Sequence, residues 1–235
     1  MINHAISDSL GRRKFLYKSL TSAISGFAAY EGLTMSFSQN LQAQTNASPD
    51  TALSELLAGN QRFAANKLNS IAHDLVILKE HTVEKQEPFA AVLSCADSRV
   101  PVELVFDQTI GHIFVTRVAG NIVTPEIIGS LEYGVAVLGI TALLVLGHTS
   151  CGAVKAAMKA ESVPGQISVL YKHLRPAVER SNGNVDKAIE SNARLQAELL
   201  RTSSTVISEA IKAGKVKVEA GVYDLASGKV SLVTA

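Results

Sequence analysis

Three short apolar runs, separated by segments of helical character, constrain the fold of this chain more than any other feature of its sequence. They are "PFAAVLSC" from Pro88, "HIFVTRVAGN" from His112 and "TALLVLGH" from Thr141. They lack a stripe of apolar residues at helical spacing, and each is short enough to be a strand. Strands made of near-continuous apolar residues are buried on both faces, which is typical of parallel sheets covered by helices.

Helical segments surround these runs and complete an α/β pattern. Asp50 or Thr51 can cap a first helix that Gly59 would stop, and the segment from Ser70 predicts a second helix that ends before Pro88. Alternating strands and helices predict a mostly parallel β-sheet flanked by α-helices. The remaining elements expected are helices over 124–139, 150–160, 168–180 and 185–214, and two strands over 216–233.

The N-terminal region is a different kind of sequence. Arg12 and Arg13 are followed by Phe15 and Leu16 and by a weakly apolar stretch of small residues. This is similar to a twin-arginine export signal, which the translocation machinery reads before cleavage. An ordinary basic amphipathic helix is the alternative. We therefore expect residues 1–47 to be a signal peptide and linker, with the folded domain over 48–235, exported to the periplasm, the thylakoid lumen or the extracellular space.

The charge balance excludes two classes of partner. The chain has 22 basic and 21 acidic residues, so it offers no positive surface for nucleic acid or for an anionic membrane. The longest apolar stretch of the domain, 133–147, is divided by Gly139. It is therefore predicted to be a core segment rather than a membrane span.

The two cysteines of the chain lie at predicted strand ends, next to polar residues. Cys95 ends the first run, His148 ends the third, and Cys151 follows His148 at H-x-x-C spacing. Because ligands bind beyond the carboxyl ends of such strands, these side chains are expected at one sheet edge. Two thiolates and one imidazole suit Zn²⁺ and leave a fourth position for water, as in catalytic zinc sites.

Asp97 and Arg99 are predicted to lie beside this metal. The carboxylate can bind Zn²⁺ directly and close the site, or it can pair with the arginine and accept a hydrogen bond from water on the metal. A disulfide between Cys95 and Cys151 is the alternative to a metal, because an exported protein meets an oxidising compartment. A disulfide would not require Asp97, Arg99 or His148 nearby.

These motifs resemble those of the β-class carbonic anhydrases. The motifs that carry the resemblance are "CADSRVP" from Cys95, "ELVFDQ" from Glu103, "FVTRVAGN" from Phe114, "SLEYGVAVLG" from Ser130 and "GHTSCGAVKA" from Gly147. "GNQRF" and the closing "GVYDLASGKV" are also similar to the family, so the likeness covers about residues 50 to 235.

The resemblance implies reversible hydration of carbon dioxide to bicarbonate and a proton by a zinc-bound hydroxide. It implies one Zn²⁺ per subunit on Cys95, His148 and Cys151, and Asp97 and Arg99 as catalytic residues, with Asp97 a possible fourth ligand in a closed form. It also implies a homodimer or higher homo-oligomer, with an N-terminal helical arm around the partner and the active site near the subunit interface.

Substrate contacts are implied for Gln86, Phe114 and Tyr133. A subgroup that closes its metal site has a tryptophan where this chain has Val92, so the open form is expected here. His112 stands where the family usually has an acidic residue, and its role is not predicted. Two other functions stay open: a zinc hydrolase of the same fold that acts on carbonyl sulfide or carbon disulfide, and a non-catalytic, disulfide-bonded relative.

Overall fold

The protein is described by a computed structural model that covers residues 47–69 and 82–233. Residues 1–46, which contain the predicted export signal, lie outside the described residues, as do residues 70–81 of the predicted second helix. The rest of that segment, 82–88, is not helical. The prediction of a helix that reaches Pro88 is therefore wrong at its C-terminal end.

The described part of the chain contains five strands and seven α-helices. Short 3₁₀ turns cover Ala119–Asn121 and Ile167–Leu170. In chain order the elements are α1 (Pro49–Ala64), β1 (Ala90–Ser94), α2 (Val102–Val105), β2 (Ile113–Arg117), α3 (Pro125–Ala136), β3 (Ala142–His148), α4 (Gly152–Lys159), α5 (Tyr171–Glu179), α6 (Val185–Ser203), α7 (Thr205–Lys212), β4 (Lys217–Tyr223) and β5 (Val230–Leu232).

The strands form one sheet in the order β2-β1-β3-β4-β5. The first four are parallel to one another, and β5 is antiparallel to β4. Every residue of the central strands β1 and β3 is buried, because helices cover both faces. One apolar cluster packs α3, α6 and α7 on one face of the sheet, and a second packs α1 and α2 on the other. The predicted fold class is confirmed.

Helix α1 begins earlier and ends later than its sequence predicts. Ser48 caps it by accepting a hydrogen bond from the Thr51 N–H at 3.2 Å, and Pro49 stands in its first turn. The helix continues through Gly59 to Ala64. A Cβ at Gly59 would lie 1.8 Å from the carbonyl oxygen of Phe106. This glycine therefore permits close backbone packing and does not stop the helix.

The long helix predicted over 185–214 is in fact two helices. Ser204 has an extended backbone (ψ 117°), which ends α6. Its hydroxyl accepts a hydrogen bond from the Ile207 N–H at 3.0 Å and so caps α7. Similarly, the helix predicted from Ser168 begins as a 3₁₀ turn and becomes α-helical only at Tyr171.

Gly139 separates α3 from β3 with φ +70°, as its position in the apolar stretch predicts. Within residues 47–69 and 82–233, no helix combines the length and the apolar character needed to cross a membrane.

Candidate metal centre

The carboxyl ends of β1 and β3 bring together two thiols and one imidazole. Cys95 follows β1, His148 is the last residue of β3, and Cys151 stands directly before α4. Ser94 pairs with Leu146 in the parallel register, so the two strands end side by side. The Sγ atoms of both cysteines and a ring nitrogen of His148 all lie within 4.8 Å of one another, and all three residues are buried.

The His148 ring is held with one nitrogen directed at this cluster. Its Nδ1 lies 3.0 Å from the carbonyl oxygen of Thr149, which can only accept, so Nδ1 carries the proton. In the neutral form of the ring, Nε2 is then the acceptor nitrogen. It is buried, and it has no hydrogen-bond partner among the described residues. Because an unsatisfied buried polar atom is costly, a metal ion is the partner that fits it.

The two cysteines are free thiols in the structure, so the alternative disulfide is not formed. The Gly120 N–H donates to the Cys95 Sγ at 3.3 Å. The adjacent Cys151 thiol lowers the pKa of Cys95, although burial opposes this. The Cys95 thiolate, together with burial, raises the pKa of Cys151. A thiolate on one sulfur therefore disfavours a thiolate on the other, and a divalent cation would stabilise both.

Thr149, whose carbonyl oxygen orients His148, is itself held in place by three hydrogen bonds. The sequence alone does not reveal this role. The Thr149 N–H donates to the Tyr223 carbonyl oxygen at 2.9 Å. Its hydroxyl donates to Asp224 Oδ1 at 3.2 Å and accepts from the Leu225 N–H at 3.0 Å. The turn after β4 thus supports the proton position on His148, as second-layer contacts do in metal sites generally.

Asp97 and Arg99 form the pair that their spacing predicts. The arginine Nε and Nη2 donate to the two carboxylate oxygens at 2.9 and 2.8 Å, and its backbone N–H donates to Oδ1 at 3.0 Å. The Arg99 guanidinium holds the pKa of Asp97 well below its ordinary value. The distance from Asp97 Oδ2 to His148 Nε2 is 3.8 Å. An ionised carboxylate therefore borders the metal cluster.

Arg117 is a further contributor to this loop. Its Nε donates to the Cys95 carbonyl oxygen at 3.0 Å and its Nη2 to the Asp97 carbonyl oxygen at 2.6 Å. The side chain at the end of β2 thus holds the backbone of the cysteine and of the aspartate. A lone arginine at a strand end gives no sequence signal for this role.

The three residues predicted to contact substrate are not near the cluster of their own chain. Gln86 is exposed and lies before the start of β1, whereas Cys95 lies after its end, so the two residues are at opposite ends of this strand. Phe114 pairs with Ala91, four residues before Cys95, which corresponds to about 13 Å along the strand. Tyr133 is 46% exposed, and its ring centroid lies 6.3 Å from that of Phe114. His112, also exposed, precedes β2 at the same distant edge.

Comparison with known proteins identifies the relatives of this chain. The family model described as carbonic anhydrase matches residues 90–230. Carbonic anhydrase 2 of Mycobacterium tuberculosis is 34% identical over 199 residues, which cover 80% of this chain and 94% of that protein. These matches include the strand ends that carry Cys95, His148 and Cys151.

Solved structures agree with the sequence comparison. The β-carbonic anhydrase CcaA is 25% identical with a TM-score of 0.62, over 78% of this chain and 92% of that one. The Coccomyxa β-carbonic anhydrase, solved with acetazolamide, is 28% identical with a TM-score of 0.60, over 77% and 86% of the two chains. Family match, close relatives and shared fold agree with the motifs at the sheet edge, and together they make this protein a carbonic anhydrase of the β class.

Proposed function

We propose that the protein catalyses the zinc-dependent, reversible hydration of carbon dioxide to bicarbonate and a proton. The observation that carries this proposal is the buried Nε2 of His148, which has no hydrogen-bond partner in the described part of the chain and stands beside two free sulfurs, all within 4.8 Å. This donor set fits Zn²⁺, with Cys95, His148 and Cys151 as ligands. When bound, Zn²⁺ lowers the pKa of water to about 7 and so supplies a nucleophile at neutral pH.

The roles of Asp97 and Arg99 follow from their contacts. Arg99 donates three hydrogen bonds to the carboxylate, which keeps Asp97 ionised and fixed in direction. The Asp97 carboxylate can accept one further hydrogen bond, from the attacking water. This hydrogen bond orients the water toward carbon dioxide. The two-pronged pairing of Asp97 with Arg99 favours the open form of the site, which we propose, over a closed form in which Asp97 is the fourth ligand.

We further propose a homodimer, or a higher homo-oligomer built from it, in which each subunit completes the active site of the other. This is supported by the opposite placement of Gln86 and Cys95 at the two ends of β1. A partner related by a two-fold axis can bring the edge with Gln86, Phe114 and Tyr133 against the metal edge of this subunit. The exposed face of Tyr133 is then covered by the partner.

Co-expression of two inactive chains tests the shared site. One chain carries Cys151→Ser, and the other carries Gln86→Ala with Tyr133→Ala. Half of the randomly paired dimers are mixed, and each has one intact site, so we expect about one quarter of the wild-type rate. The matched control pairs Cys151→Ser with Cys95→Ser, which cannot complement. A mixed preparation no more active than its two components would show that Gln86 and Tyr133 do not act across subunits.

The hydration proposal is tested on the whole chain with its metal content measured. Carbon dioxide hydration, followed by pH change before and after treatment with a zinc chelator, should fall to background and return on addition of Zn²⁺. The rate on carbonyl sulfide, measured in parallel, separates the proposed substrate from the alternative one. Activity that survives complete removal of the metal would refute the zinc-dependent reaction.

We also propose that the protein acts outside the cytoplasm, after export by the twin-arginine machinery. This is supported by Arg12 and Arg13 followed by Phe15 and Leu16. The location is measured by fractionation of cells that express the full chain. The Arg12→Lys, Arg13→Lys double variant is fractionated in parallel. Wild-type protein found with the retained variant in the cytoplasm would contradict export.

A further inference from the structure

We propose that Asn192 and Gln196 of α6 are positioning residues for the metal centre. They fix the loop after β2 so that the Gly120 N–H donates to the Cys95 sulfur. This inference rests on the zinc centre proposed above. It concerns two side chains that lie on a helix remote in sequence from every predicted ligand.

The loop that contacts Cys95 has an unusual backbone. Gly120 has φ +77° and Asn121 has φ +43°, both in the left-handed region. A Cβ on Gly120 would lie 3.1 Å from a methyl group of Leu174. The position therefore needs glycine, which is the residue with the greatest backbone freedom. Because glycine is so free, contacts from outside the loop must hold Gly120 in the single conformation that directs its N–H at the Cys95 sulfur.

Two buried amides supply that restraint. Asn192 and Gln196 are each 1% exposed and lie one helical turn apart. Asn192 Nδ2 donates to the Gly120 carbonyl oxygen at 2.8 Å, and Gln196 Oε1 accepts from the Val123 N–H at 2.7 Å. The loop is thus held by backbone groups on both sides of Asn121.

The two amides also fix each other. Gln196 Nε2 donates to Asn192 Oδ1 at 3.1 Å and to the His173 carbonyl oxygen at 3.3 Å. Because Asn192 Oδ1 is occupied as an acceptor, its Nδ2 must face the Gly120 carbonyl. The peptide groups on the two sides of the Gly120 Cα are therefore bound to Asn192 and to Cys95.

A hydrogen bond to a ligating sulfur tunes the charge that the sulfur presents to its metal, and loss of such outer contacts typically lowers metal affinity about 10- to 100-fold. Removal of the Asn192 donor frees the Gly120 carbonyl and lets the glycine relax away from Cys95. The expected result is weaker metal binding and a changed metal–thiolate bond.

Asn192→Leu removes both polar groups, and Asn192→Asp keeps the acceptor for Gln196 but loses the donor. Asn60→Leu is the matched control. Asn60 is 4% exposed and makes three hydrogen bonds to the backbone, to Val105, Gly228 and Val230, on the other side of the sheet. Zn²⁺ affinity is measured by chelator competition, and the thiolate-to-metal absorption band is recorded after substitution with Co²⁺.

We expect both Asn192 variants to bind Zn²⁺ about 10- to 100-fold more weakly and to shift the Co²⁺ band. Asn60→Leu should lower the thermal midpoint while it leaves affinity and spectrum at wild-type values. Wild-type affinity and spectrum in the folded Asn192 variants would overturn the inference, and so would an equal loss in Asn60→Leu. Failure of the wild-type protein itself to bind Zn²⁺ would instead refute the proposed centre, and this inference with it.

Discussion

The Cys151→Ser variant is expected to purify without stoichiometric zinc and to lose about 10³-fold or more in carbon dioxide hydration, because unaided water has a pKa of 15.7 and is hardly ionised at neutral pH. The exchange replaces one atom and leaves no cavity. A serine hydroxyl stays protonated at neutral pH and is a poor ligand for Zn²⁺. Metal analysis and the initial hydration rate of the same preparation measure the two effects.

Ser94→Ala is the control for this exchange. Ser94 is fully buried directly before Cys95, and its hydroxyl has no hydrogen-bond partner within the described part of the chain. Its removal should leave zinc content and rate unchanged. A Cys151→Ser protein that retained one zinc per subunit and full activity would exclude Cys151 as a ligand.

Asp97→Asn is expected to lower kcat/KM about 10²-fold while zinc remains bound, in the range of a lost general acid–base group. The amide has one acceptor where the carboxylate has two oxygens, and its NH₂ group opposes the donors of Arg99. The orientation of the attacking water and the fixed arginine are then lost together. Steady-state kinetics with parallel metal analysis separates this effect from loss of the metal.

Glu198→Gln removes a carboxylate from another arginine pair as a control. Glu198 and Arg201 form an exposed pair on α6 at 3.3 Å, and such surface pairs contribute little. This variant should keep wild-type kinetics. If Asp97→Asn and Glu198→Gln had the same kcat/KM, Asp97 would have no role in the mechanism.

The lowered pKa of Asp97 also fixes the sign of its effect on stability. The pKa of Asp97 is lower in the folded protein than in the unfolded protein, where it is about 3.9. Pairing with Arg99 therefore stabilises the folded protein when the pH is above the unfolded-state pKa. This stabilisation is lost as the pH falls through the folded-state pKa. Asp97→Asn should therefore be less stable than wild type at neutral pH. The difference should shrink in acid.

Sequence patterns predict the parts of this protein that depend on local periodicity. Buried apolar runs identify β1, β2 and β3, and parallel strands must present Cys95 and His148 at one edge. The short i, i+2 separation makes contact between Asp97 and Arg99 easy to anticipate. Each of these inferences needs only the geometry of neighbouring residues or neighbouring strands.

Features that depend on distant packing could not be predicted in this way. Gly59 has the residue type of a helix stop, but its role is to let the Phe106 backbone pack against the helix. Ser204 divides a continuous helical pattern through one extended backbone angle. Asn192 and Gln196 are ordinary residues of an amphipathic helix, and their partners lie about 70 residues earlier in the chain. The position of Gln86 relative to Cys95 likewise appears only once the strand between them is placed.

The hydrogen bonds of Thr149 have a consequence for the order in which this protein matures. The residue whose carbonyl orients His148 is held by Tyr223, Asp224 and Leu225, about 75 residues later in the chain, and β3 has β4 as its neighbour. Until β4 has paired with β3, β3 is an edge strand and the carbonyl that orients the His148 ring is not held. The imidazole is therefore oriented only after β4 and the turn that follows it have joined the sheet, however early in the chain Cys95 and His148 themselves lie.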